Sequence, residues 1–113
     1  MHEMSIAESL MDQIIDIAET NHMESVAEVE LETGHLRQVI PEVMREAFLA
    51  VTQGTIADGA KLIINEVEPL AACRQCRREF TPQIDDFLCP QCRQADVDIL
   101  KGDEIILKSV VGN

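Results

Sequence analysis

CRQCRREFTPQIDDFLCPQC, residues 73–92, sets Cys73 and Cys76 two residues apart, then twelve residues, then Cys89 and Cys92 with the same gap. A CxxC turn lets two thiolates reach one ion while nearby backbone N–H groups donate to the sulfurs. Two such turns face to face complete a tetrahedron, with sulfur–metal distances of about 2.3 Å for Zn(II). Four sulfurs fill that shell and leave no position for a catalytic water. The spacing therefore predicts a closed, structural Zn(II) site. Iron suits the same four-sulfur cage. A thioredoxin-type redox pair needs a single CxxC at a helix start after a strand, which is not the arrangement here.

Between Ala71 and Ile99 the apolar residues are few. Metal binding of about 10–16 kcal/mol can replace a core over such a segment. The flanking chain reads differently. From Ser5 to about Ala18, Ile6, Leu10, Ile14 and Ile17 recur at helical spacing, and the polar Thr20-Asn21-His22 ends the pattern. In VAEVELETG, residues 26–34, Ala27, Val29 and Leu31 alternate with Glu28, Glu30 and Glu32. That alternation predicts a half-buried strand with one wet, acidic face. Pro41 suits the first turn of a second helix, whose stripe is Val43, Ala47 and Val51 beside Met44 and Phe48, with Gly54 as its stop. GAKLIINEVEP (59–69) is a second strand. GDEIILKSVV (102–111) is a third, with Ile105, Leu107 and Val111 on one face.

The last strand is too short to stand alone, so it is expected to rejoin the first sheet. The cysteine segment is then an insertion. The expected fold is α+β: a small mixed three-stranded sheet with two helices, plus an inserted zinc-ribbon-like module built on the four cysteines. Residues 1–70 and 100–113 form the α/β domain, and residues 71–99 the zinc-binding domain. There is no apolar run near 18 residues and no basic stretch followed by an apolar one, so neither a membrane span nor a signal peptide is expected. A reducing, cytoplasmic setting follows, in which paired cysteines bind metal rather than form disulfides.

The formal net charge is −12. Residues 1–72 carry 14 acids against 3 bases, and only residues 73–93, with 3 acids and 4 bases, lean the other way. Nucleic acid is repelled by the first segment, and Trp and Tyr are absent as stacking platforms. The four arginines Arg74, Arg77, Arg78 and Arg93 suggest a zinc-ribbon interaction module, for nucleic acid or for protein, as an alternative. A zinc centre with four thiolates carries two negative charges, which more than offset the local excess of base, so the nucleic-acid form is the poorer one. A thiol-based redox sensor is a third reading. An acidic surface suits cations or a basic protein.

The chain starts Met1-His2-Glu3. The Met1 amine, the deprotonated amide nitrogen of His2 and its imidazole Nδ1 can close adjacent five- and six-membered rings on one ion. Glu3, through its backbone or its carboxylate, would complete a planar set that suits Ni(II) or Cu(II). A bulky second residue such as histidine usually keeps the initiating methionine in place. On these residues alone the plainer reading is an acidic first turn of a helix beginning near Ser5, with a terminal histidine of no function. His22 and His35 carry no role in either reading.

In order, MHEMSIAESL, LETGHLRQVIPE, AFLAVTQGTIADGAKLIINEVEP, CxxC-x12-CPxC and GDEIILKSVV run through the chain. That succession resembles the HypA/HybF family of hydrogenase nickel-incorporation proteins over essentially the whole length. The resemblance implies a nickel metallochaperone and not an enzyme, with Ni(II) as cargo at His2 and Glu3 and with the Met1 amine as a ligand. It implies structural Zn(II) at Cys73, Cys76, Cys89 and Cys92. It also implies work with the GTPase HypB and delivery to the large-subunit precursor of a [NiFe]-hydrogenase. No nucleic acid and no membrane belong to this picture, and the chain is a monomer or a homodimer. One departure stands out: the residue after each second cysteine, often Gly in such knuckles, is Arg77 and Arg93 here.

Overall fold

Glu3, Ala7, Leu10, Met11, Ile14 and Ala18 fall on one face when wound at 3.6 residues per turn, and all are buried on helix α1, His2–Thr20. The computed structural model describes residues 2–113; Met1 and the side chain of His2 lie outside the described residues. The helix starts three residues before the expected Ser5. The cause is tertiary: the Ile40 N–H donates to Glu3 Oε2 at 3.1 Å and holds the first turn. At the other end His22 takes φ 56°, its N–H reaching the Glu19 carbonyl at 3.3 Å and that of Met23 the Ala18 carbonyl at 2.8 Å. This is a Schellman stop with histidine in the left-handed position.

Strand β1, Val26–Gly34, buries Val29, Leu31 and Thr33 on one face. Ala27, expected on that face, is exposed, while Val26 is buried with its N–H on the Ile56 carbonyl at 2.8 Å. Helix α2, Pro41–Thr52, has Pro at its start, where a missing N–H is harmless. Its buried stripe is Met44, Ala47, Phe48 and Thr52, so Val43 is left exposed and Val51 only half-buried. Thr52 tolerates burial because its Oγ1 donates to the Phe48 carbonyl at 2.8 Å.

β2 (Lys61–Val67) and β6 (Ile105–Gly112) flank β1 in a three-stranded sheet ordered β2-β1-β6, so the final strand does rejoin the first sheet. β1 and β6 run antiparallel: Asn113 bonds Ser25 at one end, and the Gly34 N–H bonds the Glu104 carbonyl at the other. Val111 is exposed rather than part of an inner face. A second sheet of β3 (Leu70–Cys73), β4 (Glu79–Phe80) and β5 (Val97–Lys101) has the order β4-β3-β5, with both pairings antiparallel. The architecture is α+β, with two α-helices among the described residues and a cysteine module.

By backbone proximity the chain forms two compact units. One holds the residues up to Glu32 with Val39–Asn65 and Ile106–Asn113, and the other holds Thr33–Gln38 and Glu66–Ile105. In the first, Leu10, Ile14, Val29, Leu31, Met44, Phe48 and Leu62 make an ordinary apolar core. In the second, the buried apolar side chains among the described residues are Pro69, Ala71, Cys73, Pro82 and Cys89, none of them a large aliphatic or aromatic residue.

Candidate metal centre

β3 carries Cys73 at its end, paired with Val97 of β5, and the chain turns at once toward β4. The turn closes by two bonds: Arg77 N–H to the Cys73 carbonyl at 2.8 Å, and Cys73 N–H to the Arg78 carbonyl at 2.9 Å. The second CxxC repeats the pattern, with Arg93 N–H to the Cys89 carbonyl at 2.8 Å and Cys89 N–H to the Gln94 carbonyl at 3.0 Å. Arg77 and Arg93 sit at φ 63° and 60°. The knuckle thus imposes the left-handed conformation that glycine takes freely, and arginine accepts it at a cost of about 1–2 kcal/mol. The departure at these positions leaves the turn geometry intact.

The four cysteine sulfurs all lie within 4.8 Å of one another, and Cys76 Sγ is 3.7 Å from Cys89 Sγ. An ion about 2.3 Å from four tetrahedral sulfurs requires about 3.8 Å between them, so the donor set fits a divalent metal. Cys73 and Cys89 are buried, Cys76 and Cys92 partly exposed, and all four are free thiols. The electrostatics favour a cation. The Cys92 N–H, 3.4 Å from Cys89 Sγ, is the main influence lowering the Cys89 thiol to about 7. The neighbouring Cys76 sulfur, then burial, push the Cys92 thiol up to about 12. Four sulfurs so close cannot all ionise unaided; a divalent ion among them removes the conflict.

Arg74 leaves this knuckle as a fork, Nε to Asp98 at 2.9 Å, Nη2 to Asp98 at 2.7 Å and Nη1 to Asp96 at 2.9 Å. Bonding to Asp98 first and Asp96 second raises its pKa above the usual range. Its charge is committed to tying the first knuckle to β5, so it is withdrawn from the four arginines that suggested a nucleic-acid surface. Among the described residues no other group of three or more His, Cys, Asp or Glu side chains converges on one point. His35 is not a member of the cysteine cluster; its Nδ1 lies 3.2 Å from Glu66 Oε2 at half-exposed positions.

Of the three N-terminal residues, Glu3 is the one whose side chain is described. It is 7% exposed, and the Ile40 N–H is the first cause holding its carboxyl below the usual range. The sequence reading of an acidic first turn before a helix beginning near Ser5 did not foresee this burial. The signal was present, because Glu3 continues the stripe Ala7, Leu10, Ile14 toward the N-terminus.

Residues 1–112 match the family model described as hydrogenase/urease nickel incorporation, metallochaperone, hypA. A hydrogenase maturation factor HypA from Chlorobium phaeobacteroides strain BS1 is 37% identical over 110 residues, covering 97% of each chain. One from Streptomyces avermitilis is 37% identical over 112 residues, covering 97% of this chain and 86% of that one. The solution structure of the nickel metallochaperone HypA from Helicobacter pylori superposes with a TM-score of 0.72 at 22% identity, over 97% and 96% of the two chains. A second solution structure, of a HypA protein, gives 0.75 at 24% identity over 100% and 97%. At those identities the two structures are similar in fold.

Proposed function

The chain belongs to the HypA family, metallochaperones for nickel incorporation that carry metal and are not enzymes, and on that premise we propose that it binds Ni(II) at its own N-terminus and delivers it for [NiFe]-hydrogenase maturation. The observation that carries the reading is the family match across residues 1–112 of a chain that starts Met-His-Glu. In the proposed site the Met1 amine, the His2 amide nitrogen and the His2 imidazole hold the ion. Glu3 contributes through its backbone or its carboxylate, one oxygen of which accepts from the Ile40 N–H. Such a planar nitrogen set suits Ni(II).

The two metals have opposite tasks in this account. Zn(II), held by Cys73, Cys76, Cys89 and Cys92, fixes the fold of its unit and stays. Ni(II) sits on a terminal chelate with one side-chain imidazole, from which a competing ligand set can take it. Cu(II) outranks Ni(II) for such donors, so selectivity must come from partner docking and metal supply. The proposed partners are the GTPase HypB and the hydrogenase large-subunit precursor, in the cytoplasm, met by a monomer or a homodimer. Among the described residues no helix is long and apolar enough to cross a membrane.

Equilibrium dialysis of zinc-loaded protein against Ni(II) tests the reading. One nickel per native chain, lost in His2→Ala with zinc content unchanged, is the expected result. Full nickel binding by the variant would place the site elsewhere.

A further inference from the structure

Val43 and Ala47 on α2 and Met4 on α1 line a groove of about 260 Å³, with Glu3 and Glu46 at its margin. Residues 43, 46 and 47 share one side of α2 by helical spacing. The groove is smaller than the roughly 300–1,000 Å³ of ordinary small-molecule pockets. It suits one or two protruding side chains. Apolar surface extends from it: Met4 is 44% exposed, Val43 42% and Ile40 53%. Val43 is an apolar residue that the core does not use, although it lies beside the buried Met44.

The surroundings specify the charge of an occupant. The first two turns of α1 carry Glu3 and Glu8 and no Lys or Arg. The first two turns of α2 add Glu42 and Glu46 against Arg45 alone. A low-dielectric groove beside such a field attracts cations and repels acidic surfaces. An apolar contact framed by carboxylates is the complement of an apolar side chain framed by bases.

We propose that this groove is a docking site for a protein partner that presents an apolar side chain flanked by lysine or arginine. Met4 is two residues from His2, so a partner seated here stands beside the proposed nickel chelate. That the partner gives or receives nickel rests on the function proposed above; the chemistry of docking rests on the groove alone.

The test is calorimetric titration of purified HypB, and separately of the hydrogenase large-subunit precursor, into the zinc-loaded full chain. Val43→Asp places a charge in the groove, Glu46→Lys reverses its margin at an exposed position that folding tolerates, and Leu49→Asp is the control on α2, since Leu49 is 58% exposed and does not line the groove. At least one partner should bind the native chain. Val43→Asp should weaken it tenfold or more and Glu46→Lys at least threefold, while Leu49→Asp matches native. Native affinity should fall severalfold as salt rises, and less so in Glu46→Lys. All three variants should keep one nickel per chain, so loss of docking is separable from loss of the nickel site. Native affinity in both groove variants, equal loss in Leu49→Asp, or no binding of either partner to the native chain would overturn the proposal.

Discussion

The unit around α1 and the unit around the cysteines are held together by different forces. The first buries Leu10, Ile14, Val29, Leu31, Met44 and Phe48 against one another. At about 1.5–3 kcal/mol for each large apolar side chain, that is an ordinary hydrophobic core. The second fully buries only small apolar side chains, Pro69, Ala71, Cys73, Pro82 and Cys89, with Phe80, Phe87, Val97 and Ile99 half-buried, yet it orders three short strands and two matched turns. A metal held by the four cysteines, at about 10–16 kcal/mol, would be the largest single contribution to its stability. One stretch of chain thus depends on solvent exclusion and the other on coordination, and each should respond to a perturbation that spares the other.

Removing a sulfur is the strongest such perturbation. Cys76→Ala, or chelation of the native protein, should abolish amide-exchange protection through β3 and β5 while α1 and α2 keep theirs. Ile14→Ala should do the converse, lowering stability by about 2–5 kcal/mol through the cavity it leaves, with zinc content unchanged. Protection of Ala71 and Ile99 that survived chelation would show that the second unit has a core the burial pattern does not reveal.

A smaller effect sharpens the contrast from within the metal unit. Arg77 and Arg93 occupy left-handed backbone, so Arg77→Gly relieves about 1–2 kcal/mol of strain and returns about 0.4–1 kcal/mol of chain entropy. The net expectation is about 0.5–1 kcal/mol of added stability, read as a higher denaturant midpoint for the zinc-loaded protein. Arg77→Val, β-branched in the same conformation, should move the midpoint the other way.

The cysteine cage was legible because its signal is spacing alone, and spacing survives whatever the rest of the chain does. The two helices were legible from periodicity, and Pro41 marked its helix start. The errors lie where a tertiary contact decided. The start of α1 moved from Ser5 to His2 because a backbone N–H 37 residues away binds Glu3. A stripe drawn through Val43 and Val51 gave way to Met44, Ala47, Phe48 and Thr52, since threonine can be buried once its hydroxyl bonds back to its own helix. Strands of two, four and five residues carry too few positions for alternation to appear, so the second sheet had no sequence signature. For the proposed nickel site, the reading rests on the identity of Met1, His2 and Glu3 and on their place at the start of the sequence.

The least of the expected effects concerns Glu3. Its hydrogen bond from Ile40 holds the folded carboxyl below the ordinary value of 4.5. The stabilisation is therefore complete above about pH 5 and is lost as pH falls through the folded pKa. In Glu3→Gln this part of the acid dependence should vanish, so native and variant melting temperatures converge as pH is lowered from about 5 toward 3. A gap that stayed constant over that range would show the bond to be insensitive to the charge on Glu3.

The central claim is that the end of the chain is itself the nickel ligand. Its most direct test is calorimetric titration of Ni(II) into zinc-loaded protein with and without Gly-Ser placed before Met1. The extension keeps His2 and Glu3 but replaces the terminal amine with an amide, a poorer donor. Nickel binding should weaken strongly, and the native protein alone should gain affinity from about pH 6 to 8, as the imidazole (about 6.5) and the amine (about 7.7–8.0) lose their protons. Equal nickel affinity in the two proteins would contradict the account.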